Sequence, residues 1–134
     1  MSLKFDHVHI KCSNIQKTRK FYQSIFDAKK VYEGSIRGIP FVMLEIKGAF
    51  INLSGLGPDE EHFAETNSVK GKVWKRIGLG HFGIRVDNLE ETVASLKEKG
   101  VEFIWEITNV REGVKVAFIK APEGNVIEIL ERRS

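Results

Sequence analysis

The stretches HVHIKCSN at residues 7–14 and HFGIRVDN at residues 81–88 are two versions of one phrase. Each begins with histidine, has isoleucine three places later and then a basic residue, and ends in asparagine. Further along, GAFINL at 48–53 matches GNVIEI at 124–129. Such internal repetition indicates copies of one structural unit, here of about 50 residues.

Each copy predicts the same order of elements. Residues 4–12 and 80–86 alternate as β-strands do, and Asn14 and Asn88 then stand where helix N-caps are expected. Three strand-like runs follow each helix: KKVYEG, FVMLEIK and AFINLS in the first copy, and VEFIWEI, VKVAFIK and NVIEILE in the second. The predicted fold class is therefore α+β, with two tandem βαβββ modules.

The length of 134 residues predicts a single domain. Its parts are module one at about 1–55, a connecting arm at about 56–79 and module two at about 80–134. The arm is longer than an ordinary connection, and we interpret it as a lid or as a contact with a partner subunit.

Composition excludes several functional classes. A net charge of +3 is too small for a typical nucleic-acid binder, and the basic cluster KGKVWKRIG at 70–78 is typical of a solvated arm. No apolar run reaches the roughly 18 residues of a membrane span, and the N-terminus has no signal-peptide pattern. The single Cys12 excludes an internal disulfide and suits a reducing compartment, so a cytoplasmic location is expected.

Strand alternation predicts a polar set on one face of the sheets. The apolar faces of the strands need the helices as cover, which leaves the opposite face to His7, Asn52, His81 and Glu128. A carboxylate inside NVIEIL is costly unless a cation compensates it. Two imidazoles and one carboxylate form the facial triad of catalytic divalent metals. The alternatives are hydrogen-bonded strand histidines and a solvent-facing or ion-paired Glu128.

The chain resembles the glyoxalase I / bleomycin-resistance / extradiol dioxygenase superfamily, the vicinal oxygen chelate fold. The resemblance covers essentially the whole chain and rests on FDHVHIKCSN followed by KFYQSIFDA, on GLGHFGIRVDNLEETVASLKEKGVEF and on FIKAPEGNVIEILE. It implies that the modules form a U-shaped mixed sheet with helices on the outer face, and that His7, His81 and Glu128 bind a divalent metal. It also implies a homodimer, in which a site is built from one chain or from two.

Asn52 departs from the resemblance. Glyoxalase I-like and epimerase-like relatives usually place Glu or Gln there as a fourth ligand, and Asn is one methylene shorter. Asn52 therefore marks a possible fourth metal-site position, and the three remaining ligands also resemble ring-cleaving dioxygenases and the fosfomycin-modifying branch. Such a site accepts Zn, Ni, Mn, Co or Fe.

The hypothesis favoured by the sequence is that the protein is a metal-dependent isomerase or lyase, glyoxalase I-like or epimerase-like, that acts on a small oxygenated substrate. The metal would polarise a carbonyl while a general base moves the adjacent proton. Glu45 and His9 are the candidate catalytic bases; the alternatives are a surface carboxylate and a hydrogen-bonded cavity wall. Arg85 and Lys11 are candidate contacts for an anionic substrate, or else exposed cations at strand ends.

Three other functions stay open. The same triad serves Fe(II) extradiol-type dioxygenases, and the segment IFDAKKVYEGS has features of fosfomycin-type thiol transferases. A bleomycin-resistance-like module would instead sequester a small molecule in an aromatic groove lined by Phe5, Phe41, Phe50, Trp74 and Trp105.

Overall fold

The computed structural model describes residues 2–57 and 78–133. The chain divides into two compact units, Met1–Phe63 and Ala64–Ser134. The first contains β1 (His7–Lys11), α1 (Ile15–Phe26), β2 (Lys29–Ile36), β3 (Ile39–Ile46) and β4 (Ala49–Ser54). The second contains β5 (Phe82–Arg85), α2 (Leu89–Glu98), β6 (Phe103–Arg111), β7 (Val114–Lys120) and β8 (Val126–Arg132). The predicted βαβββ module, present twice, is confirmed.

The two sheets have the same topology. Their strand orders are β1-β4-β3-β2 and β5-β8-β7-β6. In each sheet the first and last strands of the module pair in parallel, and the other pairs are antiparallel. Each sheet is therefore mixed, as predicted.

Both helices begin at the predicted asparagines. The Asn14 side-chain oxygen accepts a hydrogen bond from the Lys17 amide at 3.1 Å, and Asn88 accepts one from the Glu91 amide at 3.0 Å. These bonds satisfy amides that lack a partner within the first helical turn. Past α2, Gly100 has the positive φ of 80° that suits a glycine after a helix end.

The helices cover one face of each sheet. α1 packs on β3 and β4, and α2 packs on β7 and β8. The buried side chains on the helix-facing side include Ile10, Val42, Leu44, Ile51 and Leu53 in the first unit, and Ala117, Ile119, Ile127 and Ile129 in the second. Cys12 is buried with this set, and its thiol donates to the carbonyl of Ile10 at 3.6 Å. The helices lie on one face of each sheet, as predicted, and His9, Asn52 and Glu128 alternate with these buried residues along their strands.

Most of the predicted arm, including its basic cluster and Trp74, lies outside the described residues. In the part of the chain that is described, no helix is long and apolar enough to span a membrane. The lid or partner-contact role of the arm, the homodimer and the cytoplasmic location stay predictions.

Candidate metal centre

One row of side chains crosses each sheet on its helix-free face. In module two the partners are Gly83, Glu128, Phe118 and Trp105, on β5, β8, β7 and β6. In module one the same places are held by His9, Asn52, Met43 and Tyr32, on β1, β4, β3 and β2. Residues directly opposite each other on neighbouring strands point to the same face. The repeat seen in the sequence is thus reproduced strand by strand, and the two rows differ in chemistry.

His81 and Glu128 come together at the row of module two. His81 lies immediately before β5, and its Nε2 atom is 3.5 Å from Oε1 of Glu128. The side chains are 34% and 23% exposed, so both are partly shielded yet reachable from solvent. The sequence prediction that these two residues share a site is consistent with this contact.

The separation suits two ligands of one metal ion. Metal–nitrogen and metal–oxygen bonds of about 2.0–2.2 Å place neighbouring ligand atoms roughly 3.0–3.5 Å apart in octahedral or tetrahedral geometry. A direct, charge-assisted hydrogen bond would bring the atoms to about 2.7–2.9 Å instead. The observed 3.5 Å therefore fits a shared cation better than a strong ion pair.

Apolar side chains lie on the same face of the sheet as Glu128. Phe118 pairs directly with Glu128 and is 6% exposed. Its ring meets the His81 imidazole edge-on, with 5.1 Å between centroids, and meets Trp105 in the same way at 5.5 Å. Phe118 also belongs to a buried cluster with Val114, Val116 and Val126. The carboxylate is partly shielded from water, so a cation beside it is favoured.

In module one, His7 has a carboxylate partner that the sequence analysis missed. The Nδ1 atom of His7 lies 2.7 Å from Oδ2 of Asp6. If Nδ1 donates this bond, Nε2 keeps a lone pair for a metal, an arrangement that recurs in metal-binding histidines. The signal was present in the sequence, because Asp6 directly precedes the first histidine of the repeat.

The other polar residues of module one are held differently. Nε2 of His9 lies 2.8 Å from Oγ of Ser54, which fixes the orientation of the ring. Asn52, beside His9, is only 5% exposed, and its Oδ1 atom has no hydrogen-bond partner among the described residues. Asn52 thus presents a buried, unsatisfied acceptor at the place where module two has a carboxylate.

Glu45 shares a row with His7. His7 pairs with Phe50, and Phe50 pairs with Glu45, so one strand separates the two polar residues. At a strand spacing of about 4.8 Å, their backbones lie roughly 10 Å apart on one face. Glu45 is thus on the predicted helix-free face, with Phe50 between it and His7.

Lys11 and Arg85, the candidate substrate contacts, occupy equivalent strand ends. Lys11 donates to the carbonyl of Gly55 at 3.2 Å, and Arg85 donates to the carbonyl of Arg132 at 2.9 Å. Both bonds bind the cation to backbone at the end of the neighbouring strand. A role in substrate binding stays a prediction for both.

A second carboxylate of β8 serves the helix side. Oε1 of Glu131 accepts a hydrogen bond from the Leu89 amide at 2.9 Å, in the first turn of α2. That bond, with the nearby charge of Lys115 and a hydrogen bond from Arg133, holds the pKa of Glu131 below its usual range. Glu131 is therefore a helix-capping group, and Glu128 is the carboxylate of the helix-free face.

Neither described segment, 2–57 or 78–133, brings three His, Cys, Asp or Glu side chains together as a metal cluster by itself. Module two supplies the close pair of His81 and Glu128, whereas His7 belongs to the other unit. The three-ligand set therefore stays a prediction. Of the aromatic residues suggested for a groove, Phe5 and Trp105 are exposed, and Trp74 lies outside the described residues.

Comparison with known proteins places this arrangement in a family. A chloroplastic protein of Arabidopsis thaliana, named "Probable lactoylglutathione lyase", is 35% identical over 130 residues, which are 94% of this chain and 35% of that protein. The chain thus spans about a third of the length of this relative. A glyoxalase family protein from Bacillus cereus has a similar structure, with a TM-score of 0.80, 16% identity and coverage of 100% of this chain and 97% of the other.

A second solved structure is a variant of the fosfomycin resistance protein FosX from Listeria monocytogenes, complexed with Mn(II) and 1S,2S-dihydroxypropylphosphonic acid. Its TM-score is 0.68 at 17% identity, with 96% of this chain and 90% of the other covered. At such identities the two structures establish the fold alone. The sequence profile of the Glyoxalase/Bleomycin resistance protein/Dioxygenase superfamily matches residues 4–129. This chain therefore belongs to the glyoxalase/bleomycin resistance protein/dioxygenase superfamily.

Proposed function

We propose that the protein is a divalent-metal-dependent lyase or isomerase that acts on a small oxygenated molecule. The observation that carries this proposal is the approach of His81 and Glu128, 3.5 Å apart, on the helix-free face of module two. The lactoylglutathione lyase name of the Arabidopsis relative favours the lyase assignment. The two forms of the proposed reaction are glyoxalase I-like and epimerase-like.

The proposed metal ligands are His81 and Glu128 from module two and His7 from module one. When bound, the metal would supply a Lewis acid that polarises a substrate carbonyl. Phe118, opposite Glu128 in the sheet, helps to shield the carboxylate partly from water, and Asp6 orients His7 through Nδ1. The Mn(II) complex of FosX supports a divalent ion in this fold family without indicating which ion this chain takes.

The chain offers two candidate bases for moving a substrate proton. His9 has its ring oriented by Ser54, and an oriented imidazole is a suitable proton acceptor near neutral pH. Glu45 lies on the same face as His7, one strand removed. The single variants His9→Gln and Glu45→Gln test which residue the reaction needs. Only replacement of the catalytic base should lower kcat while leaving the metal content unchanged.

For the substrate, we propose a small molecule with adjacent oxygen atoms and an anionic group. Adjacent oxygens suit a metal with open coordination positions. The cations at the strand ends, Lys11 and Arg85, would attract the anion. We further propose a cytoplasmic homodimer, the expectation drawn from composition and from the family resemblance.

A second candidate function has a structural observation in its favour. Trp105 is 47% exposed at the open end of the row that holds Glu128. An exposed indole beside the site suits an aromatic substrate, such as the catechol of an Fe(II) extradiol-type dioxygenase. Fosfomycin-type thiol transfer and sequestration of a small molecule are further outcomes of the experiment below.

The deciding experiment is elemental analysis of untagged protein, beside the double variant His81→Ala/Glu128→Ala. We expect close to one transition metal per wild-type chain and its loss in the variant. Zinc, nickel, cobalt or manganese leads to assays of lactoylglutathione formation, epimerisation and thiol transfer. Iron leads to oxygen uptake with catechols. Wild-type protein without metal after reconstitution would overturn the enzyme proposal in favour of the sequestering module.

A further inference from the structure

Glycine is an unusual residue inside a β-strand, and position 83 is such a place. It is the second residue of β5 and pairs directly with Glu128 of β8. Glycine weakens a strand because it gives up more conformational freedom on folding and packs no side chain, so it often marks a close approach. The backbone does not require glycine here, since Gly83 is absent from the positive-φ residues. The reason for glycine at position 83 therefore lies in the room left for a neighbouring side chain rather than in the backbone conformation.

The space beside Gly83 is occupied by the candidate ligand. A Cβ atom at position 83 would lie 3.4 Å from Oε1 of Glu128 and 3.3 Å from Cδ2 of Leu130. Oε1 is the same oxygen that lies 3.5 Å from Nε2 of His81. The contact with Leu130 is tighter than most Cβ contacts, and Oε1 stands at the near limit of van der Waals contact, so an added methyl would require these side chains to shift by a few tenths of an ångström.

Module one shows the opposite choice at the same place. Its equivalent residue, His9, carries a full imidazole, and its neighbour across the parallel pair is Asn52, one methylene shorter than glutamate. His9 is directed to Ser54 rather than to a carboxylate. In module one the His9 side chain thus lies beside the shorter amide of Asn52, whereas in module two Gly83 lies beside the longer carboxylate side chain of Glu128.

We infer that Gly83 is a positioning residue of the metal centre: by carrying no side chain it leaves room for the Glu128 carboxylate to lie along β5 and direct Oε1 to His81. This inference rests on the proposed function. It adds to the proposed metal centre a residue that does not itself bind the metal. It also explains why the ligand pair forms in module two, since the equivalent space in module one is filled by His9.

The test compares Gly83→Ala with Gly80→Ala. Among the described residues, no atom lies within 4 Å of a Cβ at Gly80, so this control adds the same methyl just before His81 without a contact to them. Titration of the metal-free proteins with Zn²⁺ and with Mn²⁺, each alone, should show at least about tenfold weaker binding for Gly83→Ala. Gly80→Ala should match wild type within about twofold, and circular dichroism should show both variants folded. Equal affinities for Gly83→Ala and wild type would overturn the inference.

A second measurement is independent of metal binding. In a crystal structure of metal-free Gly83→Ala, the distance from Nε2 of His81 to Oε1 of Glu128 should exceed the 3.5 Å of the parent chain. An unchanged distance would overturn the inference even if binding were weaker. If wild-type protein binds neither ion, the proposed function fails, whereas the role of Gly83 in placing the carboxylate is still decided by this structure.

Discussion

Asn52 and Glu128 occupy the same position in two copies of one sheet, yet they meet different neighbours. Asn52 lies beside His9 in the parallel pair of β1 and β4, whereas Glu128 lies beside Gly83 in the parallel pair of β5 and β8. Because Gly83 has no side chain, the longer side chain of Glu128 has room to place its carboxylate beside His81. The duplicated module has thereby acquired two different polar rows, and each row has consequences that can be measured.

The first prediction concerns the charge of Glu128. Glu128→Gln keeps the shape of the side chain but removes the negative charge that would attract a metal ion. We expect metal affinity to fall at least about tenfold, or 1.4 kcal/mol, as measured by calorimetric titration with Zn²⁺. The matched control is Glu106→Gln, the same change at an exposed ion pair with Lys97 in the same unit. Equal losses in both variants would contradict a ligand role for Glu128.

The second prediction concerns the orientation of His7 by Asp6. Asp6→Asn should weaken metal binding about 10- to 100-fold, because the carboxylate that accepts from Nδ1 of His7 is lost. Asp87→Asn, an exposed aspartate after β5, serves as the control. The same titration measures both variants, and unchanged affinity in Asp6→Asn would remove Asp6 from the site.

The third prediction concerns the unsatisfied oxygen of Asn52. A buried acceptor without a hydrogen bond is destabilising, so Asn52→Leu, of similar size, should raise the free energy of unfolding by about 1 kcal/mol. Urea titration followed by circular dichroism measures the change.

The control for this change is Asn125→Leu. The Asn125 amide donates to the Pro122 carbonyl at 3.0 Å, so its replacement should lower stability instead. A loss of stability in Asn52→Leu equal to that of the control would mean that Oδ1 has a partner such as an ordered water. If Asn52→Leu also weakened metal binding, Asn52 would be the fourth ligand.

The fourth prediction concerns pH and the Glu131 cap. Its pKa is lower in the folded protein than the usual value near 4.5, so ionised Glu131 stabilises the fold at neutral pH. That contribution is complete above the unfolded-state pKa and is lost as the pH falls through the lower, folded-state pKa. The melting temperature of Glu131→Gln should therefore lie below that of wild type at pH 7, and the difference should shrink toward pH 3. A difference independent of pH would assign the effect to packing rather than to charge.

Local patterns in the sequence predicted the elements of the fold. The caps at Asn14 and Asn88, the alternation of the strands and the order of elements depend on residues close together in the chain. Strand ends were less accurate: β1 begins at His7 rather than at residue 4, and β6 continues to Arg111 rather than ending at 107. Strand length is set by pairing with a neighbour, and β6 continues because its partner β7 begins at Val114, after the turn.

By itself the sequence determined the duplicated module, the helix-free face and the candidate ligands His81 and Glu128, because periodicity and repetition are local properties of a chain. Only the tertiary structure decided which side chains lie side by side across the sheets. The neighbours of Glu128, namely Gly83 and Phe118, are set by the register of pairing with β5 and β7. Such a register depends on packing between segments far apart in sequence, and so no local pattern could reveal that a glycine stands beside the carboxylate.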